Sequence, residues 1–325
     1  METELNSDES PLLRATSLEE KLGISKIYLK LEAANPTKTH KDRIAKAHVK
    51  QAKALGFSGI TVGTCGNYGT SIAYFAEKEG LRAVIFTPRH YENSRVDEMK
   101  MHGAEVIFVD GPYESAVFMS KTFAAAMNYY DANPGSQPMI DYEAYSLISK
   151  EILKEIEPYA VFVPVGNGST LVGVYYGFKK YGKMPKIIGV TTSYGNQILN
   201  AFYTGSMEEV RDFVETKLNE PLVSSVSFDL QNALEAVKAS KGYVFGFADD
   251  TGLKYAKILE ISERIKVLPA SALTLAGLVK FVRKFGVNNE NFVLLLTGGF
   301  ENEESLDSCG RKIQHNRWKD CPWVG

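Results

Sequence analysis

Short runs of β-branched and aromatic residues recur along the chain: IYLKL from Ile27, GITVG from Gly59, AVIF from Ala83, EVIFV from Glu105, VFVPV from Val161, IIGVTT from Ile187 and FVLLLT from Phe292. Their length and almost unbroken apolar character predict buried strands. Between them the apolar positions follow a helical period. From Asp42 to Leu55, the residues Ile44, Ala45, His48, Val49, Ala52 and Leu55 fall on one face, with Gly56 as a stop. A second helix is predicted from Tyr68 to Glu79, closed by Gly80. Strands alternating with helices imply an α/β fold with mostly parallel sheets, because each helix must lay its apolar stripe on a sheet face. The turn-rich DANPGSQP stretch, Asp131 to Pro138, is the candidate boundary between two sheets. The tail from Ser308 to Gly325 carries Trp318 and Trp323 but no clear period.

At 325 residues the chain has room for about two domains, and 44% hydrophobic with 23% charged residues is an ordinary globular composition. Lysine and arginine number 37 against 39 acidic residues, so there is no net basic field to attract nucleic acid or an anionic membrane. The opening METELNSDES lacks the basic start and apolar stretch of a secretory signal, and no run approaches membrane-spanning length. Cys65, Cys309 and Cys321 form no CxxC pair, which argues against a disulfide framework or a structural metal. These features predict a soluble cytoplasmic protein with neither nucleic acid, membrane nor metal as partner.

Four segments carry chemistry. In VPVGNGST a strand ends at Val165 and Gly166, Asn167, Gly168, Ser169 and Thr170 lead into a helix. Convergent backbone N–H groups, the helix N-terminus and two hydroxyls suit a single phosphate, although a plain strand-to-helix turn reads the same way. The segment has neither GxGxxG nor a GK[ST] ending, which disfavours a dinucleotide or ATP. In NPTKTHKDR, Lys41 falls at the start of a helix, where the N-terminal field disfavours an ammonium and favours a neutral amine. That suits a Schiff-base lysine; a solvated charge beside Asp42 and Arg43 is the competing reading. In TVGTCGNYGTS another donor-rich loop enters a helix, with amides fit for a carboxylate and the Asn67 amide fit for a ring oxygen, or simply a capped turn. FVLLLTGG delivers Thr297 at a strand end.

In this order and spacing the four segments resemble the fold-type II pyridoxal-phosphate enzymes, the family of tryptophan synthase β chain, cysteine synthase, threonine dehydratase and threonine synthase. The likeness covers almost the whole chain and extends to ERIKVLPASALTLAGL, Glu263 to Leu278. It implies two three-layer α/β/α domains with the cofactor, pyridoxal 5′-phosphate, in the cleft between them. Residues 1–34 and 150–325 would form the larger, cofactor-binding domain, residues 35–149 the smaller one, and two chains a homodimer. The resemblance makes Lys41 the cofactor lysine and the base for the substrate α-proton, and sets Asn67 on the cofactor 3′ oxygen. It assigns the phosphate to Gly166, Asn167, Gly168, Ser169 and Thr170, the ring nitrogen to Thr297, and the substrate carboxylate to Thr64, Cys65, Gly66 and Tyr68. A hydroxyl partner does not enforce a protonated ring nitrogen as a carboxylate does, which favours elimination or replacement over transamination.

The LTGG ending resembles that of threonine synthases, which implies conversion of O-phosphohomoserine and water to threonine and phosphate. Cysteine synthase-like β-replacement on O-acetylserine or O-phosphoserine, and serine or threonine dehydration, are the alternatives; a non-catalytic small-molecule-binding protein is the rival from another class. The chain departs from the family pattern where Lys38 replaces a glycine, Thr39-His40 replaces Ser-Phe, and Cys65 stands where serine is common. Lys38, His40 and Arg43 are candidates for positive charge toward a phosphorylated substrate, or solvent-facing polar residues.

Overall fold

A computed structural model describes residues 9–64, 66–91, 93–211 and 213–299, together with the backbone of a short antiparallel pair, Ser305–Leu306 against Lys312–Ile313. Cys65, Cys309, Cys321, Trp318 and Trp323 lie outside the described residues. In chain order the elements are β1 (Leu12–Arg14), α1 (Thr16–Leu22), β2 (Ile27–Leu31), α2 (Lys41–Ala54), β3 (Gly59–Gly63), α3 (Asn67–Glu79) and β4 (Arg82–Pro88). Then come α4 (Ser94–Met101), β5 (Glu105–Val109), α5 (Tyr113–Met127), β6 (Tyr130–Asp131), α6 (Pro138–Glu155), β7 (Ala160–Pro164) and α7 (Ser169–Tyr181). The chain continues through β8 (Lys186–Thr192), α8 (Gln197–Thr204), α9 (Leu230–Ala239), β9 (Tyr243–Phe247), α10 (Asp249–Glu263), α11 (Pro269–Phe285) and β10 (Phe292–Leu296).

Two sheets result. The larger runs β1-β2-β10-β7-β8-β9 and is parallel except where β1 pairs with β2; the smaller, β5-β4-β3-β6, is parallel throughout. Strand alternation sorts the side chains into layers. On the larger sheet Phe162, Ile188, Phe292 and Leu294 pack toward Leu273, Leu275 and Leu278 of α11. Val161, Val163, Val293 and Leu295 belong to the opposite layer with Leu171, Val174 and Phe178 of α7 and Ala233 and Val237 of α9. That same cluster continues through Tyr145 and Ile148 of α6 and Ile44 and Val49 of α2 to Ile60, Val62 and Ile85 of the smaller sheet. The far face of the smaller sheet is closed by α5, with Ala116 against Val84 and Phe86. Gly63 permits this close approach: a Cβ there would lie 2.5 Å from the Val117 nitrogen.

The expected helices form over Lys41–Ala54 and Asn67–Glu79, each within a residue of the predicted bounds. Leu55 is a correction: it follows the last turn of α2 and is 59% exposed instead of joining the apolar face. The strands β1, β6 and β9 have no counterpart among the predicted runs. The turn-rich stretch does lie between the last strand of the smaller sheet and α6, which packs on both α2 and α7. Residues 149 and 150, at the expected domain limit, both lie within α6. No described helix is long and apolar enough to cross a membrane, and no metal-binding cluster occurs among the described residues.

Candidate active site

The carboxyl ends of β3, β7 and β10 open onto one cleft of 1880 Å³, the usual ligand position of such sheets. Lys41, Thr64, Gly66, Asn67, Tyr68, Gly166, Asn167, Gly168, Ser169, Thr170 and Thr297 all line it. Every described residue that the resemblance assigns to cofactor or substrate is therefore brought to the same space, whereas of the three candidates for positive charge His40 lines it and Lys38 and Arg43 do not. The helices α3 and α7 begin there without side-chain caps, so their first N–H groups and partial positive charge face the cleft, whereas the first N–H groups of α2 bond to Thr39 Oγ1 (3.3 Å), the Thr39 carbonyl (3.3 Å) and the His40 carbonyl (3.2 Å).

Lys41 is the first residue of α2, its Nζ 5.9 Å from the ring centre of Tyr68 and 5.8 Å from that of Tyr145. Burial lowers its pKa, against an opposing pull from Asp141 and Asp229. The amine is thus shifted toward the neutral, nucleophilic form. Its two neighbours fix where it points. Asp42 accepts from the Thr37 N–H at 2.7 Å and the Thr37 hydroxyl at 2.5 Å, folding the preceding loop onto the helix start. Arg43 turns away from the cleft into a buried cluster, forking to Glu32 at 2.6 and 2.8 Å and to Glu151 at 2.7 Å through each of two nitrogens. Lys30 reaches Glu151 at 2.6 Å and the Ser10 carbonyl at 2.5 Å, and the Ser10 hydroxyl donates to Glu32. The guanidinium holds Glu32 down at about 2, although burial alone would raise it. Arg43 is therefore a scaffold and not a cation for substrate. Nor does His40 supply positive charge, because burial and the nearby Lys41 push its pKa down to about 3.

In the loop after β7, Gly168 caps α7 at φ 98°, a left-handed conformation suited to glycine, and a Cβ on Gly166 would sit 2.7 Å from the Pro221 carbonyl oxygen. The Ser169 hydroxyl donates to Asp229, whose other oxygen accepts from Tyr142. The Asn167 side-chain oxygen accepts from Ser224 at 2.8 Å. At the end of β10, Thr297 Oγ1 lies 3.0 Å from Ser271 Oγ, which also accepts from the Gly298 N–H at 3.0 Å. Tyr68 donates its hydroxyl to the Ala132 carbonyl at 2.9 Å, so its contribution to the cleft is the ring. His48, on the apolar face of α2, is buried between Tyr130 (3.0 Å) and Asp141 (2.9 Å), and Asp141 lines the cleft. Asp141, Tyr145, Asp229 and Ser271 are additions to the sequence-derived set. Ser271 alone had a signal, the PASA segment.

A cleft with uncapped helix N-termini, glycines where a side chain would clash and a buried amine fits a ligand carrying phosphate and carbonyl groups. Residues 4–298 match the family model described as pyridoxal-phosphate dependent enzyme. The chain belongs to that family. Its cofactor is pyridoxal 5′-phosphate, which when bound supplies an electron sink for charge at a substrate α-carbon. Threonine synthase of Methanocaldococcus jannaschii is 28% identical over 304 residues, covering 89% of this chain and 74% of that protein. Threonine synthase of Methanosarcina acetivorans is also 28% identical, with the same coverage. A biosynthetic L-threonine dehydratase of Pasteurella multocida is 25% identical, over 91% of this chain and 57% of that protein. Among solved structures, the processed threonine deaminase isoform 2 of Solanum lycopersicum superposes with a TM-score of 0.79 at 20% identity, covering 90% of this chain and 80% of that one. Maize serine racemase gives 0.78 at 19%, covering 91% and 90%. These structures share the fold-type II architecture, as expected from the motifs.

Proposed function

We propose that this enzyme is a threonine synthase-like lyase, converting O-phosphohomoserine and water to threonine and phosphate by elimination and addition. The observation that carries the reading is the hydroxyl of Thr297 at the end of β10, in the same cleft as the buried Lys41 amine. It is supported by the threonine synthases at 28% identity over most of the chain. In this reading Lys41 would hold the cofactor, and its amine, when free, would take the substrate α-proton; depression of its pKa by burial keeps the base form available. Asn67 holds the cofactor 3′ oxygen, the Gly166–Thr170 loop its phosphate, and Thr297 its ring nitrogen. Thr64, Cys65, Gly66 and Tyr68 surround the substrate carboxylate, with the N-terminus of α3 contributing partial positive charge. Residues 1–34 and 150–325 make the larger domain and 35–149 the smaller. A homodimer in the cytoplasm completes the proposal.

The test is a panel of O-phosphohomoserine, O-phosphoserine, O-acetylserine, serine and threonine on the yellow holoenzyme. Equimolar threonine and phosphate from O-phosphohomoserine is the expected result, and no turnover of that substrate removes the reading. The dehydratase at 25% identity favours a second reading, in which threonine itself is consumed with release of ammonia.

A further inference from the structure

His40 stands between the two strand-end loops that face the cofactor. Its Nδ1 lies 3.1 Å from the Thr297 carbonyl oxygen, its Nε2 3.1 Å from Thr170 Oγ1, and its ring stacks on Tyr145 with centroids 5.5 Å apart and planes 22° from parallel. The Thr297 carbonyl also accepts the His40 backbone N–H at 2.9 Å, so ring and backbone are clamped to one atom. Nδ1 has two polar neighbours, this carbonyl and, farther off at 3.4 Å, Thr39 Oγ1; the nearer carbonyl only accepts, which assigns the hydrogen to Nδ1. In a neutral imidazole Nε2 is then a bare lone pair, and its partner, the Thr170 hydroxyl, must donate.

We propose that His40 is a positioning residue whose Nδ1–H tautomer accepts a hydrogen bond from the Thr170 hydroxyl at Nε2, so that Thr170 faces the cleft only as an acceptor. The Ser169 hydroxyl is already committed to Asp229. Both loop hydroxyls thus point their hydrogens into the protein, and the cofactor phosphate is held by main-chain N–H groups at the start of α7. The charged groups acting on the ring agree with neutrality: Lys41 and Arg43 of α2 oppose a proton, burial opposes it more strongly, and Glu32 only partly offsets them. The inference rests on the family's cofactor but not on which amino acid is turned over.

Two measurements on the holoenzyme decide it. Histidine-selective ¹H–¹⁵N correlation, assigned with His40→Phe, is expected to show one ring N–H on His40, at Nδ1, at neutral pH. A doubly protonated ring, as a phosphate dianion could impose, or an Nε2–H tautomer overturns the proposal. Pyridoxal-phosphate retention on dilution, followed by the visible band, supplies a double-mutant cycle. Thr170→Val is expected to weaken retention by less than about threefold in the wild type. In the His40→Phe background, where the hydroxyl is free to donate to the phosphate, it is expected to cost about tenfold or more. A tenfold loss from Thr170→Val alone overturns the proposal even if His40→Phe does not fold, as do equal losses in both backgrounds. None of these readouts depends on substrate turnover, so failure of the threonine synthase reading leaves them intact.

Discussion

Replacing Arg43 with methionine removes the guanidinium that forks to both Glu32 and Glu151, leaving two buried carboxylates with Lys30, Ser10 and the Asn35 amide for partners. The size of the effect follows from Glu32, held at about 2 against an ordinary 4.5. That depression corresponds to about 3 kcal/mol of stability at neutral pH, at the lower end of the roughly 3–5 kcal/mol typical for breaking a buried pair. Because the folded value lies below the unfolded one, the contribution is complete above the unfolded value and is lost as pH falls toward the folded one. Urea unfolding of wild type and Arg43→Met should therefore differ by about 3 kcal/mol at neutral pH, with the gap narrowing by about 1 kcal/mol at about pH 3.5. Adding Glu32→Gln to the variant should recover part of the loss by removing a stranded charge. A difference below about 1 kcal/mol at neutral pH, or one that does not narrow in acid, refutes the argument that Arg43 anchors the start of α2 by charge.

Other outcomes follow from the same geometry. Asp141→Asn removes the leading carboxylate that raises the Lys41 pKa, so the acid limb of kcat, which reports groups in the substrate complex where the amine is free, should move to lower pH; a move to higher pH contradicts the assignment. Lys38 is exposed at φ 60°, and Lys38→Gly should raise stability by about 1 kcal/mol in thermal or urea unfolding, since glycine bears no Cβ penalty there. Gly168→Ala puts a Cβ at φ 98° and 3.0 Å from Ile198, so it should cost about 1–3 kcal/mol and release cofactor faster on dilution.

What the chain disclosed in advance was local. The phosphate-type loop, the lysine at a helix start and the strand-end threonine are short contiguous motifs whose chemistry depends on their own backbone, and the structure draws them to one cleft. The partners that set their properties come from far along the chain. Asp141 and Tyr145 arrive on α6, a helix not among those predicted, which packs on both α2 and α7. Asp229 precedes α9 with no glycine loop or motif around it, yet it occupies the Ser169 hydroxyl. Arg43 and His40 read as surface cations until burial and their partners are seen. The glycine that the family resemblance expects at position 38 has a physical basis in the left-handed backbone Lys38 adopts. The missed β9 pairs only with β8, at the margin of the larger sheet, with three of its five residues only partly buried. β6 is too short to register as a periodic run.

The central claim, that Lys41 carries the cofactor in this cleft, is tested most directly by borohydride reduction of the yellow holoenzyme followed by peptide mapping. The account requires the reduced pyridoxyl group on the peptide containing Lys41, with the label lost in Lys41→Ala; label on another lysine of the wild-type chain, or its retention in Lys41→Ala, contradicts it.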